Sequence, residues 1–495
     1  MLNGATTRSR QGVQLGVIAT LLALLFVVAT PSPATAARPL DVGFADDAMY
    51  QGGVDPANNH GAKTVKQAGK WLNKTVDVNA GIIRVNLYWS HVAPTEPVDP
   101  RDPADPAYDF TPPDIAIAQA EKRDLDVLLT VLSAPPWAEG PNRPSFEEIR
   151  PGAWDPDPVA FGEFAAAVAT RYSGEFTDAE GTTLPAVEYF QAWNEPNLNT
   201  YIAPQWDGEE NLASDIFVNL LNNFYDEVKA INPKAEVVTG GVSPYGDPPG
   251  GPNRTRPLRF LRELLCLNEK LKQGECPDGG TAPKFDVIAQ HPINREDSPT
   301  THAVAEDDVE VADFGDVTKT LRAAEKLGTP AIPGKHDVFA DEVWWQTNPP
   351  DKAEGVPLDT HARWVAQSLY MLWDAGASKV IFHQFRDAEY TPGEFSLASY
   401  QTGVYTYEGK RKPTADAIRF PFVTDRKGKG LLAWGKSPAS GKLTIEVKDG
   451  PDFEKVASFK VKEDAVFTKK LNLQGSQELR ARVGKDESLV WKQKG

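Results

Sequence analysis

Residues 186–197 read AVEYFQAWNEPN. A short apolar run (AVEYFQAW) stops at a carboxylate, Glu195, and at once meets Pro196, which cannot extend a central strand. Such a run is the reading of a buried strand whose last residues project a charged group from the end of a sheet. The fold then depends on whether the rest of the chain repeats that unit.

Seven further runs do: LDVGF from Leu40, IIRVNLYW from Ile82, DVLLTVL from Asp126, EVVTGG from Glu236, FDVIAQH from Phe285, DVFADE from Asp337 and KVIFHQF from Lys379. Helix-type patterns separate them, among them TPPDIAIAQAEKRD, with Thr111 as N-cap and Pro112 in the first turn, DPVAFGEFAAAVATRY and DIFVNLLNNFYDEVKAIN. Eight alternating β and α segments predict an α/β chain with a (β/α)8 TIM barrel over residues 37–422. A doubly wound open sheet is the alternative, but no glycine-rich phosphate-binding turn follows the first run. After RFPFVTDRKGKG the pattern becomes LLAWGK, KLTIEVKD, KVASFKV, FTKKLNL and ELRARVG, short strands with no helix. Residues 423–495 are therefore expected to form an antiparallel β-sandwich that packs against the barrel, or else binds carbohydrate.

Composition narrows the class of partner. The chain has 495 residues, long enough for a large core and a smaller module, with 41% hydrophobic and 24% charged residues as in ordinary globular proteins. A net charge of -17 opposes contact with nucleic acid and anionic membrane surfaces. Arg8 and Arg10 precede the apolar VQLGVIATLLALLFVVAT, and Ala34-Thr35-Ala36 supplies a small-residue cleavage site. Residues 1–36 thus read as a secretory signal peptide; an uncleaved membrane anchor is the competing reading. The two cysteines, Cys266 and Cys276, read in an exported chain as one short-loop disulfide worth about 2–3 kcal/mol, with free thiols as the alternative. The seven histidines show no paired ligand spacing, so no metal site is expected.

Barrels of this kind present chemistry at the C-terminal ends of their strands. Two carboxylates stand there, Glu195 after the fourth run and Glu342 after the seventh, in VFADEVWWQTNPP. Strand alternation should turn Asp341 and Glu342 to opposite sides, so one of the two is expected to face the site, and Glu342, which shares parity with the small or apolar Ala340 and Val338, is chosen. A pair of carboxyl groups across a barrel mouth is what glycosidic bond cleavage requires.

WNEPN and ADEVWWQTNPP resemble the acid/base and nucleophile segments of clan A retaining glycoside hydrolases, closest in flavour to family 39 with family 5 as neighbour. The resemblance implies Glu195 as general acid/base, Glu342 as nucleophile and Asn194 as the partner of a sugar 2-hydroxyl. It further implies Arg84 near the nucleophile and His291, in AQHPIN, as a sixth-strand site residue. It implies hydrolysis of β-linked oligo- or polysaccharide with retention, no cofactor, and a secreted monomer free of the membrane once its signal is cleaved. Two departures stand out: Asp341 where these families often carry Thr before the nucleophile, and Ile293 where a Tyr often follows the histidine by two. Tyr245 is the candidate substitute for that Tyr. Trp89, Trp137, Trp344, Trp345, Tyr201 and Trp206 lie near strand ends, and of these Trp89, Trp137 and Trp344 are expected to offer rings to sugar faces. His91, His383 and Arg386 read as support. A catalytically silent carbohydrate-binding barrel at the cell surface is the rival function.

Overall fold

The computed structural model describes residues 37–51, 61–145, 149–251, 253–428 and 430–494. The expected signal peptide, residues 1–36, lies outside the described residues. Eight strands form the central sheet: β1 Asp41–Ala45, β2 Ile82–Tyr88, β3 Asp126–Leu132, β4 Tyr189–Ala192, β5 Glu236–Thr239, β6 Val287–Gln290, β7 Asp337–Val343 and β8 Lys379–His383. Each pairs in parallel with its sequence neighbours and β8 pairs with β1, which closes the barrel. All eight runs expected from the sequence are strands here.

The period of two sorts each strand into two apolar sets. Ala45, Ile82, Leu128, Tyr189, Val238, Val287, Ala289, Phe339 and Ile381 form a small cluster of their own inside the barrel. Their neighbours Phe44, Ile83, Leu129, Phe190, Val237, Ile288, Val338 and Val380 belong to a much larger cluster beneath the helices. Two residues beyond the interior layer, the same inward parity reaches Arg84, Thr130, Gln191, His291, Asp341 and His383. A polar layer thus lies directly on an apolar plug.

Among the described residues, eight helices of seven residues or more surround the barrel or follow it: α1 Val65–Asp77, α2 Thr111–Glu121, α3 Pro158–Arg171, α4 Leu212–Ile231, α5 Pro257–Leu264, α6 Phe314–Leu327, α7 Leu358–Ala375 and α8 Pro413–Arg419. Asp157 caps α3 through the amides of Val159 and Ala160, and Asn211 caps α4. In α2 the cap position is Phe110, without a side-chain bond, so Thr111 is the first helical residue rather than the cap. Cys266 and Cys276 are joined, with an S–S distance of 2.08 Å.

The C-terminal strands are β9 Phe422–Lys427, β10 Gly430–Lys436, β11 Gly441–Asp449, β12 Asp452–Val461, β13 Val466–Leu471, β14 Gln477–Val483, β15 Asp486–Glu487 and β16 Trp491–Gln493. They make two antiparallel sheets, β9-β10-β13 and β12-β11-β14-β15, with β16 on β14. Phe422–Lys427 is not among the strand runs expected from the sequence; it is an edge strand on β10. The sheets rest on α7. Trp434 is fully buried, with its ring 5.7 Å from Tyr370 and 5.9 Å from Trp373, and the Tyr370 hydroxyl donates to Asp425 at 2.9 Å. Arg363 stacks on Trp491, 4.6 Å from its centroid.

Because Trp434 fills the seam between α7 and the sandwich, Trp434→Ala is expected to destabilise the chain by about 3–5 kcal/mol. Urea unfolding followed by far-UV circular dichroism measures this; a midpoint unchanged from the parent would show that the seam contributes nothing.

Candidate active site

The polar layer converges on Arg84, which is 1% exposed. Its Nε donates to Thr130 Oγ1 at 2.9 Å, Nη2 to Asn194 Oδ1 at 2.5 Å, and Nη1 to Glu342 Oε2 at 3.2 Å. Thr130 in turn donates to Gln191 Oε1 at 2.6 Å, and Gln191 Nε2 donates to Asp341 Oδ2 at 2.6 Å and to the Thr239 carbonyl at 2.9 Å. Each of these donations ends on a carboxylate, a carbonyl oxygen or the Thr130 hydroxyl, which passes it on, as buried polar groups require.

Glu195 and Glu342 meet at His291. The imidazole Nδ1 is 3.0 Å from Glu195 Oε1 and 3.9 Å from Glu342 Oε2, which holds those two oxygens within about 7 Å of each other. Both carboxylates keep a solvent-facing edge, with side chains 15% and 20% exposed, whereas His291 is wholly buried. The close approach of His291 and Asp341 depends on Gly241 after β5: a Cβ there would lie 2.2 Å from His291 Nε2 and 2.7 Å from Asp341 Oδ1.

The backbone leaves β4 in a conformation that only a supporting frame sustains. Trp193 and Glu195 both lie in the left-handed region, with φ of 71° and 39°. The Trp193 amide bonds the Val131 carbonyl and the Glu195 amide bonds the Gly241 carbonyl. The Trp193 indole is buried edge-on to Phe161 and donates to the Tyr201 carbonyl at 2.9 Å. Asn197 ties the same turn to Ser243 and Thr255.

Strand parity does not turn Glu342 into the site. Asp341, not Glu342, follows the inward parity of Phe339, while Glu342 follows Val338 and Ala340 in the layer beneath the helices. Pairing with β8 passes from Val380↔Ala340 to Phe382↔Val343, so β7 carries one extra residue. That bulge turns Glu342 toward Arg84. Both carboxylates consequently face the site, against the expectation of one.

The aromatic expectations divide. Trp89 is 0% exposed and stacks on Phe164 at 5.4 Å, so it has no free face for a ligand. Trp137 lies edge-on to Trp89 and donates to the Ala93 carbonyl. Trp344 packs on Tyr400 and Phe395 beside the Glu342 segment. Tyr245 does not stand in for the missing tyrosine: its hydroxyl bonds the Ile293 carbonyl at 2.7 Å and Glu310 at 3.1 Å. Tyr400 and Tyr201 lie within electrostatic reach of the carboxylate pair. Burial, then Glu342 for Tyr400 and Glu195 for Tyr201, raises both hydroxyl pKa values. Sequence reading passed over Thr130, Gln191 and Asp341 as site members; counting by two from the interior residues Leu128, Tyr189 and Phe339 reaches each of them. Arg386 lies apart, stacked on Trp71 and bonded to the Tyr407 carbonyl. A cleft of about 830 Å3 opens at the other end of the barrel, by Asp126, Glu188 and Ala235, and holds none of these groups.

Solved structures with this arrangement of strands were found. A family 39 glycoside hydrolase from the gut symbiont Bacteroides cellulosilyticus WH2 superposes with a TM-score of 0.55 at 15% identity, over 88% of this chain and 81% of that one. A glucosidase from Croceicoccus marinus gives 0.50 at 14% identity, over 87% and 82%. No protein-family model matches the chain, and no curated protein matches it. The likeness is one of fold, a closed TIM barrel followed by antiparallel sheets.

Electrostatics follow from burial and charge. Burial alone would lower the His291 pKa, but Asp341 and then Glu342 reverse this and push it up to about 10. Burial would raise Asp341 and Glu342; His291, with Arg84, outweighs it and holds both below their ordinary values. His291 is raised in the folded state, so its stabilisation is complete below its unfolded value and is lost as pH rises through about 10. Asp341 and Glu342 are depressed, so theirs is present above the ordinary carboxylate range and is lost as pH falls below it. The urea midpoint should therefore decline toward both extremes, and His291→Gln should flatten the alkaline decline. An alkaline limb identical in that variant would contradict the assignment.

Proposed function

We propose that the chain is a retaining glycoside hydrolase acting on β-linked oligo- or polysaccharide, with Glu342 as nucleophile and Glu195 as acid/base. One observation carries this reading: two partly exposed carboxylates sit against one buried imidazole nitrogen, close enough to flank a single glycosidic bond. The motif resemblance and the likeness of fold support it.

The two carboxylates have different surroundings. Glu342 is held ionised by His291 and Arg84 against the opposing effect of burial. It is the group placed to attack C1. As the C1–oxygen bond breaks, Glu195 delivers its proton to the departing oxygen, leaving the sugar esterified to Glu342. Water then attacks C1, Glu195 takes its proton, and the ester bond breaks to restore the Glu342 carboxylate. Two inversions at C1 give net retention.

Arg84 occupies the Asn194 amide oxygen and so leaves the NH2 group to donate to the sugar 2-hydroxyl. Trp344, with Tyr400 and Phe395, supplies apolar surface beside the nucleophile. Residues 1–36 support export, and among the described residues no helix is long and apolar enough to cross a membrane.

The mature chain should hydrolyse members of a panel of aryl β-glycosides and polysaccharides, with the first-formed anomer retained by proton NMR. Glu342→Gln should lose nearly all turnover. Glu195→Gln should lose about 10²–10⁴-fold on substrates with poor leaving groups and much less on dinitrophenyl glycosides, which need no acid. Binding without turnover across the panel would establish a silent carbohydrate-binding barrel instead. An inverted first product would contradict double displacement.

A further inference from the structure

Asp341 is a buried carboxylate next to the nucleophile, with no exposure to solvent. Its Oδ2 is satisfied by Gln191. Its Oδ1 is not: among the described residues it has no hydrogen-bond partner, and neither has the His291 Nε2 that faces it at 3.5 Å. Two orphaned polar atoms, both inaccessible to water, lie opposite each other. An acceptor-only oxygen facing a ring nitrogen is relieved when that nitrogen carries a proton. On the other side of the ring, Nδ1 lies 3.0 Å from Glu195 Oε1.

We propose that Asp341 is a positioning residue that acts through His291. As a fixed counter-charge at Nε2 it keeps the imidazole doubly protonated, so that Nδ1–H donates to Glu195 Oε1 in both half-reactions. The inference rests on the double-displacement reading above.

The charges around the ring bear this out. The groups around His291 are Asp341 and Glu342 from β7, Glu195 beyond β4 and His383 from β8, with Arg84 from β2 against Asp341. His383 is kept neutral, its pKa lowered first by burial. Before attack, with Glu195 protonated, Arg84 and His291 balance Asp341 and Glu342. In the glycosyl-enzyme the Glu342 charge has gone into the ester and Glu195 has become a carboxylate, so the balance is again zero. The sum closes in both states with His291 cationic and Asp341 ionised, and it fails in both if either of the two is neutral alone. With Thr in place of Asp341, as these families often have, a protonated His291 would leave an uncompensated positive charge in a buried layer. The bond to Oε1 also fixes which Glu195 oxygen is engaged, and leaves Oε2 to exchange the proton with the leaving group and with water.

The test uses the full chain with 15N-labelled histidine, the His291 ring assigned through His291→Gln. In the parent, both ring nitrogens should remain protonated to above about pH 8. In Asp341→Asn the ring should titrate at a midpoint about 2 pH units lower. The alkaline limb of kcat/KM should move to lower pH by the same amount, and Asp341→Glu should restore part of both shifts. A neutral ring in the parent at about pH 6, or an unchanged midpoint in folded Asp341→Asn, would overturn the proposal. If Asp341→Asn does not fold, the parent ring decides alone: neutral overturns the proposal, doubly protonated upholds it. Ring titration is read without turnover. A protein that hydrolyses nothing yet shows the Asp341-dependent midpoint would thus fail the proposed function and keep the pairing.

Discussion

A guanidinium buried in the mouth of the barrel, that of Arg84, is the constraint to which the rest of the site answers. Removing such a charge from water costs several kcal/mol unless partners surround it. Here each nitrogen is used: Nε on Thr130, Nη2 on Asn194, Nη1 on Glu342, with Asp341 behind. Those partners come from β3, the turn after β4, and β7. The cost of burying one cation is offset only when three separate strands reach their native register, so the register of the barrel and the geometry of the site are set together.

The same constraint accounts for two irregular features of an otherwise regular barrel. Asn194 reaches Arg84 because the chain leaves β4 through left-handed residues, with Trp193 wedged under α3 and Glu195 tied to Gly241. Glu342 reaches it because β7 carries one residue too many against β8. Local departures from ideal strand geometry are tolerated where the surroundings over-determine them, and both fall at the two carboxylates. Beneath them the buried plug of Ile82, Leu128, Tyr189, Phe339 and Ile381 gives the polar layer an apolar floor.

How much of this was legible in the sequence follows from the range of each cause. The eight strands were readable because buried parallel strands are short β-rich runs, and turn chemistry marks their ends. The edge strand Phe422–Lys427 was not, since its DRKGKG tail reads as a connector and its partner β10 is what makes it a strand. Glu195 and Glu342 could be located because each ends a strand run. The reason given for Glu342 was wrong: a bulge is a property of the β7–β8 pair, and a single strand does not carry its signal. Trp89 was misread for a similar reason, because proximity to a strand end does not say which side of the sheet a ring packs on, and Phe161 and Phe164 draw it under the helices. Tyr245 likewise falls at the right place in the chain and turns to Glu310 instead.

The central claim is that Glu342, turned inward by the bulge and held by Arg84, is the group that bonds to the sugar. The measurement that tests it most directly is mass spectrometry of the intact protein, and then of its peptides, after incubation with the 2-deoxy-2-fluoro glycosyl fluoride of whichever sugar the chain hydrolyses. A mass gain of one fluorosugar per chain is expected, located on Glu342, with no label when Arg84 is replaced by Met. A label on Asp341 or Glu195, or turnover of the parent glycoside with no covalent adduct at all, would contradict it.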